Sequence, residues 1–324
     1  MAVGTQYLAE QPKLRTSSMV IGAVVVAALM AAPFFFYPVL LMSILCFALF
    51  ACAFNLLIGY VGLLSFGHAA FFGGAAYFTA HAAKVWGWEP LTSILLGMAG
   101  AAAMGFVIGF LAIRRQGIYF AMITLALSQM FAFICLQVPF THGEDGIQGV
   151  PRGHLLGIID LNQPLAMYYV TLAIFLFGFF AIWRIVHSPF GNILKAIREN
   201  ERRAISLGYR VDRYKLGAFV MSAALAGLAG GTKAIVFQFA TLTDVQWQMS
   251  GEVILMTLLG GIGTLIGPIV GAGFVIALQN YLAASDFPVT VLIGIIFVVC
   301  VLLFRRGIVG EIMELTKRKS KQSA

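Results

Sequence analysis

Long apolar runs separated by short polar segments make up most of the chain. A hydrocarbon core about 30 Å thick requires roughly 20 consecutive apolar residues per helix. The stretch 251–284 is too long for one helix and is interrupted by glycines and a proline, so it predicts two short passes or a re-entrant hairpin. A last span is predicted at 287–304. The earlier runs predict membrane-spanning helices at 19–36, 38–58, 61–83, 90–113, 118–138, 165–184 and 216–236.

The basic residues lie almost entirely on one side of this threading. With the N-terminus in the cytoplasm, 18 of the 21 lysines and arginines fall in cytoplasmic segments, and the exceptions are Lys84, Arg152 and Lys233. Cytoplasmic loops of membrane proteins carry such an excess of basic residues. The pattern predicts an all-α polytopic membrane protein of about eight to ten spans, with both termini in the cytoplasm.

This threading divides the chain into a cytoplasmic tail at 1–18, a transmembrane domain at 19–304 and a basic cytoplasmic tail at 305–324. The longest outer loop, at 139–163, is rich in Gly, Asp and Pro, which favour turns. It can serve as a docking point for an external partner or as a bare connector. A cytoplasmic loop is predicted at 187–214.

Composition narrows the function classes further. The chain is 60% apolar and only 10% charged, whereas soluble domains are about 25% charged. A cytosolic enzyme, a nucleic-acid-binding protein and a secreted disulfide scaffold are therefore excluded. The net charge of +8 is a signal of topology and does not indicate affinity for nucleic acid. All four cysteines lie inside apolar runs, which is typical of buried small hydrophobic residues.

Small residues recur at four-residue spacing in three places. Such a spacing places them on one helix face, where backbones can approach closely. The structural interpretation is helix packing, and the functional alternative is a lining for a substrate path. The three sets are Gly97, Ala101, Gly105 and Gly109; Ala223, Gly227 and Gly231; and Gly263, Gly267 and Gly271.

Motifs for catalysis or energy conversion are missing from the sequence. It contains no GxxxxGK[ST] phosphate-binding loop, no HExxH metal motif and no GxSxG nucleophile motif. We therefore predict no catalytic residue, no metal ligand and no cofactor in this chain. A few polar residues nevertheless interrupt the apolar regions, and they can line a translocation path or form hydrogen bonds between helices. They are Asn55, Ser65, His68, Gln129 and Glu252.

The cytoplasmic segment 188–208 predicts one short amphipathic helix. Ser188 followed by Pro189 is a typical helix start, and Gly208 is a typical stop. The helix can lie flat on anionic lipid or dock into a groove of a partner protein. Its acidic residues alternate with basic ones, which favours the protein partner.

Several segments from about residue 50 to 285 resemble the bacterial ABC importer permeases of the branched-chain amino acid LivH/LivM family, on the LivM branch. The segments that carry the resemblance are NLLIGYVGLLSFGHAAFFGG, RRQGIYFAMITLALSQMF, GEDGIQGVPR, SPFGNILKAIRENERRAISLGY, RYKLGAFVMSAALAGLAGG and LLGGIGTLIGPIVGA.

This resemblance implies a set of partners and a location. The chain would pair with a LivH-like second permease, and two cytoplasmic ATPases would supply ATP and Mg chemistry. A periplasmic substrate-binding protein would deliver the solute, and the complex would lie in the bacterial inner membrane. The amphipathic segment corresponds to the coupling helix that docks on an ATPase, so the resemblance implies coupling roles for Arg198, Glu199, Asn200, Glu201, Ala204 and Gly208.

The coupling segment departs from the EAA pattern of many importers. Ala204 and Gly208 keep the spacing, but Arg202 and Arg203 occupy the positions of the Glu and the first Ala. Branched-chain or related neutral amino acids are the expected solutes, and urea, short amides or aromatic acids are the alternatives within the superfamily. An ion-coupled secondary transporter and an intramembrane enzyme that uses His68 or Glu252 are the rivals from other classes.

Overall fold

The chain folds as a bundle of α-helices in the computed structural model, with strands of only two residues in the described part. The predicted tails 1–18 and 305–324 and the predicted span 287–304 lie largely outside the described residues. The structure describes residues 25–155, 157 and 159–282, together with 291, 294, 295, 298 and 307–311.

The predicted all-α membrane fold is confirmed. Helices α2, α4, α5, α6 and α9 are each long and apolar enough to cross a membrane. The helices are α1 Val25–Phe34, α2 Pro38–Tyr60, α3 His68–Lys84, α4 Pro90–Ala112, α5 Ile118–Gln137, α6 Pro164–Val186, α7 Pro189–Glu199, α8 Glu201–Ser206, α9 Val211–Phe237, α10 Trp247–Gly260 and α11 Gly267–Leu282.

Four of these helices begin with a proline. Proline is favoured at the first helical position because the N–H that it lacks has no partner inside the helix. The ring also presets the helical φ angle, so each proline fixes where its helix begins. The four residues are Pro38, Pro90, Pro164 and Pro189.

Helix α9 forms the centre of the bundle and packs against α2, α3 and α4. Within its most apolar window, 83% of the residues are buried, against 28% for α5. Helix α2 is nearly as enclosed, between α9, α6 and α11. Helix α5 is therefore peripheral, and most of its side chains face the outside of this chain.

Two of the predicted small-residue stripes face each other and account for this packing. A Cβ on Gly105 of α4 would lie 2.5 Å from the Cβ of Ala223 on α9, and a Cβ on Gly227 would overlap Ala101. The packing interpretation is therefore correct for these two sets. The third prediction is wrong for Gly263, which lies in a turn with φ +78° and not on a helix face.

Substitution of Gly230 by Ala is expected to lower the free energy of unfolding by about 1–3 kcal/mol, because the new methyl group overlaps the carbonyl oxygen of Phe72 and backbone cannot move aside cheaply. Gly251→Ala is the matched control, since no atom from another part of the described chain lies within 4 Å of its added Cβ. Thermal unfolding in detergent measures both variants. Equal midpoints for the two would contradict the close packing of α9 on α3.

The predicted span 61–83 begins later than expected, at His68. Gly62 has φ +81°, and the residues up to Gly67 are irregular although Ser65 is fully buried. Irregular backbone is tolerated at membrane depth only where its polar groups have partners inside the protein. Here the N–H of Phe66 donates to Oγ1 of Thr124 on α5 at 3.2 Å.

The interrupted stretch 251–284 forms two short helices, α10 and α11, which pack against each other. Helix α10 has 14 residues and rises about 21 Å, less than a full span, and α11 is described as far as Leu282. Their connecting turn lies beside the end of α2, because Asn55 and Gly59 contact it. The choice between two short passes and a re-entrant hairpin stays a prediction.

The outer loop contains short antiparallel strands. β1 (Ile147–Gln148) pairs with β4 (Phe239–Ala240), which follows α9, and β2 (His154–Leu155) pairs with β3 (Ile159–Asp160). The first pairing joins the loop to the connection between α9 and α10.

Candidate functional site

The segment predicted to be cytoplasmic contains two helices, so the prediction of one continuous helix over 188–208 is wrong. Ser188 caps α7 as expected, by accepting a hydrogen bond from the N–H of Gly191. Asn200 then leaves the helical conformation at φ −155° and caps α8, by accepting from the N–H of Arg203 at 3.0 Å. An Asn favours caps over helix interiors, which explains the break. Gly208, with φ +88°, follows the end of α8.

An ion pair fixes α8 to the bundle. The carboxylate of Glu201 accepts from Nζ of Lys215 on α9 at 2.7 Å and from Nε2 of Gln116 at 2.8 Å. Ala204 is buried in a small cluster with Ile197 and Val211. Two of the six predicted coupling residues, Glu201 and Ala204, therefore point toward the body of this protein.

Arg198 also points toward the bundle. Its guanidinium donates to the carbonyl oxygen of Gly59 at the end of α2, and its Nη1 would lie 3.2 Å from a Cβ on Gly263. A cavity of about 400 Å³ opens at this junction, and Lys195 and Glu199 also line it. Arg198 thereby joins α7 to α2 and to the turn between α10 and α11.

The remaining coupling candidates, Glu199, Asn200 and Gly208, are exposed. Next to them, α8 and the following turn present a row of exposed apolar side chains that the sequence analysis did not single out. Ile205 is 57% exposed and Leu207 is 69% exposed. The missed signal is an apolar residue at every second position from Ile205 through Tyr209, a pattern that packing inside this chain does not require.

Asn55 has a structural partner for both ends of its amide. Its Nδ2 donates to the carbonyl oxygen of Thr264 at 2.8 Å, and its Oδ1 accepts from the N–H of Gly263 at 2.9 Å. The side chain is 2% exposed. It ties α2 to the turn between α10 and α11, next to the contact that Arg198 makes.

Ser65 and His68 lie at the beginning of α3, where both are fully buried. Oγ of Ser65 accepts from the N–H of Gly67, and Nε2 of His68 lies 2.8 Å from Oγ of Ser222 on α9. Ser222 uses its only proton to donate to the carbonyl of Ala53 at 2.6 Å. Nε2 of His68 must therefore be the donor, which leaves Nδ1 without a hydrogen, and Nδ1 has no partner among the described residues.

The other two path candidates lie elsewhere. Gln129 is exposed on the outer side of α5, near the middle of that helix. Glu252 is half-buried on α10, within hydrogen-bonding reach of Gln279 on α11. Apart from Ser65 and His68, which lie together at the beginning of α3, the path candidates occupy separate places within this chain, and the role of all five in translocation stays a prediction.

A buried ion pair joins α9 to its connection with α10. Nζ of Lys233 lies 2.7 and 2.9 Å from the two carboxylate oxygens of Asp244, and both residues are at most 5% exposed. The threading placed Asp244 in an outer segment, but the structure packs its backbone against Gly73 inside the bundle. The sequence signal for this ion pair is a lysine near the end of α9 and an aspartate 11 residues later, beyond that end.

The outer loop is held to the bundle by two of the three basic residues that the cytoplasmic count excluded. Nζ of Lys84 donates to the carbonyl of Gln148 at 2.7 Å, and the guanidinium of Arg152 donates to the carbonyl of Val236 at 2.6 Å. At the loop surface, the backbone N–H of Asn162 donates to Asp160 and lowers the pKa of its carboxyl below the ordinary value.

A metal site is not apparent in the described part of the chain, where no three His, Cys, Asp or Glu side chains come together.

Comparison with known proteins adds the functional context. The family described as branched-chain amino acid transport system / permease component matches residues 36–304. The high-affinity branched-chain amino acid transport system permease protein LivM of Salmonella typhimurium is 26% identical over 83% of this chain and 69% of its own length. LivM of Escherichia coli is 29% identical over 67% of this chain and 57% of its own length, so the match spans little more than half of that relative.

Similarity also extends to a protein with another solute in its name. The ribose import permease protein RbsC of Bacillus subtilis is 27% identical over 68% of this chain and 70% of its own length. No solved structure matches the chain.

Proposed function

Because the chain belongs to the branched-chain amino acid transport system permease family, we propose that it is the membrane-spanning subunit of an ATP-driven importer for branched-chain or related neutral amino acids. We further propose that it works in the bacterial inner membrane with a second permease, two cytoplasmic ATPases and a periplasmic binding protein. The observation that carries the proposal is the α7–α8 segment, whose exposed apolar row is held rigidly on the bundle by the Glu201–Lys215 pair.

The proposed mechanism uses two states of the bundle. ATP binding closes the partner ATPases, and their movement displaces the α7–α8 segments of both permeases. The bundle then changes from inward-facing to outward-facing and accepts an amino acid from the docked binding protein. Hydrolysis resets the first state. ATP shifts the bundle toward the outward-facing state because it has a higher affinity for that state, and the free energy of its hydrolysis on the ATPases gives the cycle its direction.

Purification from native membranes in mild detergent, followed by mass spectrometry of the bound proteins, tests the subunit composition. We expect two ABC ATPases and a second permease to accompany the chain. A chain isolated alone, with uptake that stops when the ion gradient collapses, would favour an ion-coupled secondary transporter built around the α10–α11 pair instead.

The solute is tested separately, by uptake of radiolabelled leucine, isoleucine and valine into proteoliposomes that contain the purified complex and its binding protein. The similarity to RbsC makes ribose the necessary comparison, and urea and aromatic acids complete the set. Uptake of one of these other solutes in place of the amino acids would retain the importer and replace its substrate.

Leu207→Glu is expected to weaken retention of the ATPases by about thirtyfold, because a central apolar contact of an interface is worth about 2 kcal/mol. Val85→Glu is the matched control, since Val85 is 56% exposed at the opposite end of the bundle. Quantitative mass spectrometry of ATPase recovered per permease measures the effect. Equal recovery in both variants would remove the exposed row from the interface.

A further inference from the structure

A groove of about 260 Å³ lies between the end of α4 and the beginning of α9, at the cytoplasmic end of the bundle. Its floor is apolar and includes Gly109, Phe110 and Leu216. Its rim is charged and consists of Arg114, Asp212 and Arg213. This groove is distinct from the exposed row on α8 and from the junction at Arg198.

The charged side chains at the rim form no hydrogen bond or ion pair with another described side chain. Neither guanidinium has a hydrogen bond or an ion pair within the described part of the chain, and Cζ of Arg114 lies 5.2 Å above the ring centroid of Phe110. Asp212 is exposed and forms no ion pair with a described residue; it lies in the first turn of α9, where a negative charge is favoured. Two cations and one anion leave a net charge of +1 around the groove.

The position of the groove indicates what can reach it. Phe106 and Phe110 are 53% and 52% exposed and stack at 6.3 Å between ring centroids, and Arg114 follows one turn later on the same face of α4. This face therefore passes from hydrocarbon depth to headgroup depth at Arg114. A cytosolic protein reaches only the rim from below, whereas a phospholipid reaches the rim and the floor together.

We propose that this groove binds one anionic glycerophospholipid of the cytoplasmic leaflet, of the phosphatidylglycerol type. The phosphate lies between the guanidinium groups of Arg114 and Arg213, which suit phosphate geometry, and an acyl chain lies against Phe110 and Leu216. Headgroup hydroxyls can donate to Asp212. The net charge of +1 favours this lipid over a zwitterionic one. The bound lipid holds α4 against α9, independently of the solute that the protein carries.

Native mass spectrometry of the full chain tests the site, after purification and incubation in micelles that contain phosphatidylglycerol, phosphatidylethanolamine or phosphatidylcholine. We expect one retained phosphatidylglycerol per chain. In the double variant Arg114→Gln and Arg213→Gln its affinity is expected to fall about thirtyfold, because each arginine near the headgroups contributes about a factor of five. Arg115→Gln, an exposed neighbour outside the groove, is the matched control and should retain the lipid.

Thermal unfolding gives a second readout that does not depend on transport. Phosphatidylglycerol is expected to raise the unfolding midpoint of the unaltered chain and not that of the double variant, while inorganic phosphate raises neither. Equal retention of phosphatidylcholine, preference for phosphatidylethanolamine, or an equal loss in Arg115→Gln would overturn the proposal. A midpoint shift with phosphate alone would overturn the assignment to a lipid.

Discussion

Replacement of Asp244 by Asn is expected to lower the free energy of unfolding by about 3–5 kcal/mol, because it leaves the ammonium group of Lys233 buried without a counter-charge. The two side chains are only 5% and 3% exposed, so water cannot replace the lost partner. Nearby rings compensate only in part: Nζ of Lys233 lies 4.4 Å from the ring centroid of Phe239, a contact worth about 2 kcal/mol or more when desolvated.

The Asn variant removes the charge of Asp244 and keeps the size and shape of the side chain. Asp244 also accepts hydrogen bonds from the N–H and Oγ1 of Thr241, and an Asn oxygen can keep this cap. The structural consequence is local, since the pair holds the connection between α9 and α10 inside the bundle. We therefore expect that connection to open first on heating.

The measurement is the midpoint of thermal unfolding in detergent for Asp244→Asn, Lys233→Met and the double variant. Either single change leaves one charge unpaired, whereas the double change removes both, so the double variant is expected to recover part of the loss. Asp145→Asn, at an exposed acidic residue of the outer loop, is the control. A double variant that loses as much stability as the two single variants combined, or more, would show that the charges do not act as a pair.

The long spans could be predicted from the sequence because a membrane-spanning helix is a local property of about 20 residues. The apolar windows located α2, α4, α5, α6 and α9 within a few residues of their observed ends. A close approach of α4 and α9 to other helices could also be predicted, because small residues at four-residue spacing favour close packing. The helix that each stripe faces could not be predicted.

The breaks could not be predicted, because they depend on partners that are distant in sequence. The late start of α3 requires the hydroxyl of Thr124, 58 residues away from Phe66. Asn55 was recognised as a polar residue in an apolar run, but its partner Thr264 lies 209 residues further along the chain. A window of 20 residues contains neither partner.

The charge count left three basic residues outside the predicted cytoplasmic segments. The count of cytoplasmic residues treats a basic residue as a label of its side, and Lys84, Arg152 and Lys233 did not fit. Each of them has a specific acceptor in the structure, the last of them a carboxylate. Exceptions to the positive-inside pattern are therefore positions where an intramolecular partner should be sought.

The coupling residues show the same limit at the candidate site. The resemblance implied one surface that contains Arg198, Glu201 and Ala204, but a helical segment has an inner and an outer face. The break at Asn200 changes which residues lie on each face. Substitution of a residue that contacts the bundle is therefore expected to have a different effect from substitution of a residue that is free to contact a partner.

Arg198→Gln is expected to reduce amino acid uptake at least tenfold while the ATPases stay bound. The guanidinium is a charged donor to the carbonyl of Gly59, and a hydrogen bond to a charged group contributes about 1.5–3 kcal/mol, which corresponds to more than a factor of ten. This contact joins α7 to α2, and Asn55 joins α2 to the turn between α10 and α11. Without the Arg198–Gly59 contact, movement of the α7–α8 segment is no longer transmitted to α10 and α11.

The measurement is uptake into proteoliposomes, divided by the amount of ATPase that co-purifies. Arg115→Gln is the matched control, because Arg115 is exposed outside the coupling segment and its side chain forms no hydrogen bond or ion pair with a described residue. Leu207→Glu provides the opposite phenotype, with loss of the ATPases themselves. Normal uptake in Arg198→Gln would show that the Gly59 contact transmits nothing, and loss of bound ATPase in that variant would place Arg198 at the interface with the partner.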